Sequence, residues 1–184
     1  IAVTGFELVR SSTPMFIRKK LKDVLPLAFD TDESTIQKFL SETRKEFDKL
    51  DIHEIAFPRS VNNLEEYADS VTIYKKGNGV STPIQVRGAL LYNSLIEKYK
   101  LRGKYPLITS GSKIKFVYLK MPNVLRENVI AFPADDTLPA EFNLHSRIDF
   151  DMQWEKTMIA STQIILNSIG WSAIERSSLD DFFG

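Results

Sequence analysis

Twice in this 184-residue chain a Thr-Pro pair stands directly before an amphipathic stretch, at Thr13-Pro14 and at Thr82-Pro83. A threonine hydroxyl can accept from the free N–H groups of a first helical turn. Proline is tolerated at the first helical position, where its missing N–H would have no partner anyway. The pairs therefore predict two helices with fixed starts, Thr13 capping one and Thr82 the other, which runs to about Tyr99. In the first, Met15, Phe16, Leu21, Val24 and Leu25 give an apolar face. Arg18, Lys19, Lys20 and Lys22 give a basic one, and Pro26 is expected to end or kink the helix.

Asp32 or Ser34 caps the next helix, in which Ile36, Phe39, Leu40, Phe47 and Leu50 recur at helical spacing. A long final helix is expected from about Asp149 to Ile169. Its apolar stripe includes Phe150, Trp154, Met158, Ile165 and Ile169, and Gly170 is placed to stop it. Strands are expected at residues 1–9 (IAVTGFELV), 52–57 (IHEIAF), 113–119 (KIKFVYL) and 128–132 (NVIAF). Residues 58–67 (PRSVNNLEEY) read as a polar loop leading into a short element, residues 77–79 (GNG) as a turn, and 133–146 as loop. The fold class is α+β with helices dominant.

A composition of 43% hydrophobic residues suffices for a core, but no apolar run approaches membrane-spanning length, so no membrane partner is expected. Cysteine is absent, which excludes disulfides and thiolate metal sites. The formal net charge of zero hides an asymmetry. Lys75 to Lys120 holds ten bases (Lys75, Lys76, Arg87, Lys98, Lys100, Arg102, Lys104, Lys113, Lys115, Lys120) against Glu97, whereas the chain after Pro133 is acidic. Such a segment points to an anionic partner. The chain opens on Ile1, so processing or excision from a longer chain is expected.

Catalytic chemistry finds little to work with. His53 and His145 are the only histidines, with no nucleophile motif around them, and they read as surface or core residues. Asp135 and Asp136 are adjacent loop carboxylates, which usually point apart. Asp149 and Asp151 suit the N-terminal end of a helix dipole. Met15, Phe16, Trp154 and Met158 read as core. The sequence ends on SSLDDFFG (177–184), which puts Leu179, Phe182 and Phe183 where chains are usually polar.

Three stretches, TGFELVRSSTP (4–14), TPIQVRGALLYN (82–93) and SSLDDFFG, resemble in the same order the C-terminal part of the family-B replicative DNA polymerases of T-even-type bacteriophages. KIKFVYL, NVIAFP and WEKTMI resemble the same region. The similarity runs from about Val3 to the end and is weaker at 30–50, 98–110 and 134–147. It implies that residues 1–12 end a palm domain, that 13–175 form a helix-dominated thumb with short antiparallel strands, and that 176–184 are an extended, sliding-clamp-binding tail. The implied role is to grip the backbone of the primer–template duplex and to tether the enzyme to the clamp, in the cytoplasm of a phage-infected bacterium. The family's palm aspartates, fingers lysine helix and exonuclease carboxylates are absent from this sequence. The resemblance therefore implies no catalytic residue and no cofactor here. Magnesium would serve the complete polymerase, together with an N-terminal piece carrying exonuclease, palm and fingers.

The residues implied in duplex contact are Ser11 and Ser12 at the palm–thumb joint, Ser60, Asn62 and Asn63 in RSVNN (otherwise a capping loop), Arg87, Gly88 and Asn93 on the TPIQVRGALLYN helix, and Lys113 and Lys115 on one face of a strand, which is either solvated or on DNA. Arg87 is expected to share a phosphate with free N–H groups of its helix start. Gly88 serves either close approach of DNA or helix packing, and Tyr92 is either core or site. Leu179, Phe182 and Phe183 are spaced as in the clamp-binding box Q-x-x-L-x-x-F-F, with Arg176 in place of its Gln. A stand-alone DNA- and clamp-binding accessory protein, and a domain whose basic face binds an acidic protein, are the alternative readings.

Overall fold

The computed structural model describes residues 10–67 and 82–175. The readings for 1–9, for the turn at 77–79 and for Leu179, Phe182 and Phe183 lie outside the described residues. The chain divides into two compact units, Ile1–Ile55 with Asp151–Gly184, and Ala56–Phe150.

The first unit is helical. Its α1 (Met15–Asp30) and, in the second unit, α5 (Ile84–Lys98) each have proline, not threonine, in the capping position. Pro14 and Pro83 have ψ near 142–143°, outside the helix, while their carbonyls already accept from Arg18 and Arg87. The expected starts therefore move one residue on, and Thr13 and Thr82 lie buried just before them. α1 buries Ile17, Leu21, Val24 and Ala28, a stripe at helical spacing that leaves Met15 60% exposed. Met15 is thus a surface residue rather than core. Pro26 does not end α1, because it sits on the exposed side while Val24 and Ala28 hold the flanking turns in the core.

α2 (Glu33–Phe47) is capped by Asp32, whose carboxylate accepts from Thr35 N–H at 2.8 Å. That bond holds the Asp32 carboxyl below its usual range. α2 buries Ile36, Leu40, Thr43 and Phe47. Residues 52–55 form a short helix, α3 (Ile52–Ile55), and not the expected strand. Asp51 starts it by accepting from His53 N–H, and Glu54 reaches back to the Asp51 N–H. The last helical run comprises α6 (Phe150–Trp154), a π turn (Glu155–Ile159) and α7 (Ala160–Asn167). Trp154 packs edge-on against Phe47 at 5.2 Å, and Met158 is fully buried. The π turn shifts the buried stripe onto Thr162, Ile165 and Leu166, leaving Ile169 exposed. Gly170, with φ +73°, ends the run as expected.

The second unit is a three-stranded antiparallel sheet in the order β1 (Phe57–Ser60), β2 (Lys113–Tyr118), β3 (Val129–Pro133). β1 takes Phe57 from the expected strand and residues 58–60 from the expected loop. α4 (Leu64–Tyr67) follows it, and α5 packs against β3 and β2. Gly88 makes that packing possible. A Cβ there would stand 3.0 Å from Ala131 N and 3.1 Å from Ala131 Cβ. Tyr92 is wholly buried and donates to the Pro106 carbonyl, so it is core. The stretch 133–146 contains two short 3-10 turns, Ala140–Phe142 and His145–Arg147.

Candidate nucleic-acid interface

Strand alternation sorts the second unit's polar residues between two faces of the sheet. Phe57 pairs with Phe116, Arg59 with Ile114 and Ser60 with Lys113, so Arg59 shares a face with Phe57, Phe116 and Tyr118. Ala131 pairs with Phe116, which makes this the face that α5 covers at Gly88. Ser60, Lys113 and Lys115 lie on the other face.

On that other face Ser60 and Lys113 are exposed, and Lys115 is half-buried between Pro58 and Phe132. Asn62 and Asn63 are exposed in the turn after β1, where Asn63 has a left-handed φ of +55°. The turn is tied to residues 110–112. Val61 N–H donates to the Ser112 carbonyl, Gly111 N–H donates to the Val61 carbonyl, and Leu64 N–H donates to Ser110 Oγ. The structure thus brings Ser60, Asn62, Asn63 and Lys113 to one end of the sheet. It also places carboxylates there. An open cleft of about 530 Å³ is lined by Lys113 together with Ile108, Pro133, Asp135 and Asp136. The two acids temper the pull of Lys113 on an anion.

The α5 residues have a different surrounding. Arg87 is the fourth residue of the helix and its own N–H is bonded to the Pro83 carbonyl, so that N–H is not one of the helix's free donors. Its guanidinium lies 3.6 Å from the Glu127 carboxylate. Gly88 is buried against β3, which is the packing role. Both ends of the Asn93 amide are bonded to the backbone of Ile108. Ser11 and Ser12 precede α1 in the first unit, Ser11 exposed and Ser12 half-buried.

The basic segment is less basic than its sequence. Arg87 faces Glu127, Arg102 pairs with Glu97, and Lys104 pairs with Glu141 from the acidic later part. Lys104 holds the Glu141 carboxyl down at about 2, with Tyr105 Oη also donating to it.

Two residues were missed by sequence reasoning. Arg59 was absorbed into an expected loop, yet its guanidinium lies over the rings of Phe57 and Phe116, at 5.4 and 5.6 Å. Glu127 carried no motif, and it is fixed by the turn in which Asn123 Nδ2 donates to its carbonyl. The alternation of Phe57 and Arg59 was the signal available for the first. For the second there was none. Among the described residues no three His, Asp or Glu side chains converge as metal donors.

The fold is similar to that of a segment of a family-B DNA polymerase. The enzyme of the hyperthermophilic archaeon Pyrobaculum calidifontis superimposes on 90% of the chain with a TM-score of 0.51 and 13% identity, using 19% of its own length. Nearer in sequence are two phage proteins. The DNA-directed DNA polymerase of Enterobacteria phage T4 is 26% identical over the full chain, and that of Escherichia phage RB69 is also 26% identical. The chain spans only about 20% of the length of either. No protein-family profile matches it. The resemblance carried by TGFELVRSSTP, TPIQVRGALLYN and SSLDDFFG is thus to these phage polymerases.

Proposed function

We propose that the chain is the thumb part of a phage-type family-B replicative DNA polymerase, holding the backbone of the primer–template duplex and tethering the enzyme to a sliding clamp through its tail. The observation that supports this best is the end-to-end similarity to one fifth of two phage polymerases. A replicase must accept every sequence, so its grip goes to phosphates and sugars rather than base edges. Exposed Ser60, Asn62, Asn63 and Lys113 suit that task, with Lys115 beside them and Ser11 and Ser12 in the first unit.

No catalytic role is assigned to this chain. Its chemistry is to position DNA while exonuclease, palm and fingers, with their magnesium, come from an N-terminal piece in the infected bacterium's cytoplasm. None of the described helices is long and apolar enough to cross a membrane. Primer extension tests the reading. The purified chain with primed template, nucleotides and magnesium should incorporate nothing, and adding the matching N-terminal piece should give an active enzyme. Extension by the chain alone, or no effect of the chain on that piece, would refute it.

A further inference from the structure

At the end of β2 away from Ser60 and Lys113, the connection to β3 turns an apolar tip to solvent. Val124 is 97% exposed and Met121 54%, with Pro122 exposed between them. Asn123 holds the turn closed from inside. Its Nδ2 donates to the carbonyls of Lys120 at 3.0 Å and Glu127 at 2.7 Å, and Arg126 N–H donates to the Asn123 carbonyl at 3.1 Å. The tip is thus a fixed projection, and little ordering is left to do on binding.

Three chain segments lie side by side at its base. Leu119 N–H donates to the Asn128 carbonyl on one side, while Lys120 N–H donates to the Arg147 carbonyl on the other, where Leu119 also bridges to Ile148. Arg147, Lys120 and Arg126 therefore stand in a row across the base, over two strand spacings or about 10 Å. All three are exposed. Unlike Arg87, Arg102 and Lys104, none of them forms an ion pair among the described residues. Of the carboxylates beside them, Glu127 faces Arg87 and Asp149 is half-buried. Arg147 comes from the acidic later part of the chain, so a charge count along the sequence does not show this cluster.

We propose that this tip enters the minor groove of the duplex, with Val124 and Met121 against the apolar faces of the sugars. Arg126 then meets the backbone on one side of the groove, and Lys120 and Arg147 share a phosphate on the other. The site rests on the duplex-holding function proposed above and names a contact for it. A narrow convex tip bounded on both sides by cations matches a groove about 6 Å wide whose two rims are phosphates. Apolar side chains accompanied by cations are a known means of entering that groove, and its degenerate pattern suits a protein that must accept every sequence. A stable protein partner would need about 800 Å² from each side, far more than these few side chains offer.

The test is duplex binding by the full chain across a salt series, using two duplexes of unrelated sequence. Lys120→Ala, Arg126→Ala and Arg147→Ala combined should flatten the slope of log affinity against log salt by about 1.8, the value for two phosphates. Val124→Ala should weaken binding about three- to tenfold, the scale of losing two buried methyl groups, with the slope unchanged because no counterion is involved. Val124 is so exposed that its replacement spares the fold. An unchanged slope in the triple variant, or unchanged affinity in Val124→Ala, would overturn the insertion and, with the intact chain still binding, leave the duplex-holding function standing. Failure of the intact chain to bind duplex would overturn both. Duplex binding unaltered in the variants, together with lost association with the N-terminal polymerase piece, would overturn the insertion and assign the tip to a protein interface.

Discussion

Asn93 pairs with the backbone of Ile108 as a strand would. Its Nδ2 donates to the Ile108 carbonyl and its Oδ1 accepts from the Ile108 N–H, each at 2.8 Å. Ile108 is buried, so removing the amide strands two polar groups away from water. Asn93→Ala should lower stability by about 2–4 kcal/mol, from two lost bonds and two unpaired groups. Asn93→Asp, which keeps the acceptor alone, should fall between. Denaturant unfolding measures both, and an unaltered midpoint in Asn93→Ala would contradict this role.

Gly88→Ala tests the seam between α5 and β3. Alanine gains about 1 kcal/mol over glycine inside a helix. Here its methyl would stand 3.0 Å from a backbone nitrogen, which cannot give way as a side chain can. Overpacking costs about 1–3 kcal/mol, so the net result should be a loss of stability. Ala131→Gly should not rescue it, because the nearest atom is Ala131 N and not its Cβ. A stabilised Gly88→Ala protein would show that the seam has room.

Acid should expose the Lys104–Glu141 pair. The bond from Lys104, with help from Tyr105, holds the Glu141 carboxyl down at about 2 in the folded chain. A carboxyl depressed on folding contributes stability above its unfolded value, and that contribution disappears as pH falls toward the folded one. The window is therefore from about 4.5, its ordinary value, down to about 2. Glu141→Gln should flatten the pH dependence of unfolding in that window. An identical profile in both proteins would show that the pair contributes nothing.

The helix periods, the Asp32 cap, the Gly170 stop and the strands at KIKFVYL and NVIAF were legible because each depends on local chemistry. What was misread depended on context. IHEIAF is apolar enough for a short strand, but Ile52 and Ile55 stand one helical turn apart and the Asp51–Glu54 capping pattern decided for a helix. Pro26 was misjudged because its exposed placement on α1 depends on which stripe the core buries. The site was harder still. Arg87 looked free because Glu127, forty residues away in sequence, gives no sign of facing it, and Asn93 looked like a contact because nothing local marks Ile108, fifteen residues on, as its partner.

The residues just before the tail have anchors of their own. Ser172 N–H donates to Glu33, Gln37 donates to the Ser172 carbonyl, and Gln163 holds both Trp171 and Ala173. Deleting Leu179 to Gly184 should therefore leave the melting temperature and duplex binding unchanged while abolishing binding to the cognate sliding clamp. Burial of Leu179, Phe182 and Phe183 is worth roughly 4.5–9 kcal/mol, and association costs about 4 or more, so the lost affinity should be weak and micromolar. A large fall in stability, or undiminished clamp binding, would contradict the tether.

The most direct measurement of the duplex-holding function is the affinity of the intact chain for two unrelated duplexes between low and high salt. Binding should be weak and equal for the two. Its logarithm should fall linearly with log salt with a slope near −3.6 if about four phosphates are held. Salt-independent binding, or strong preference for one sequence, would contradict a polymerase thumb.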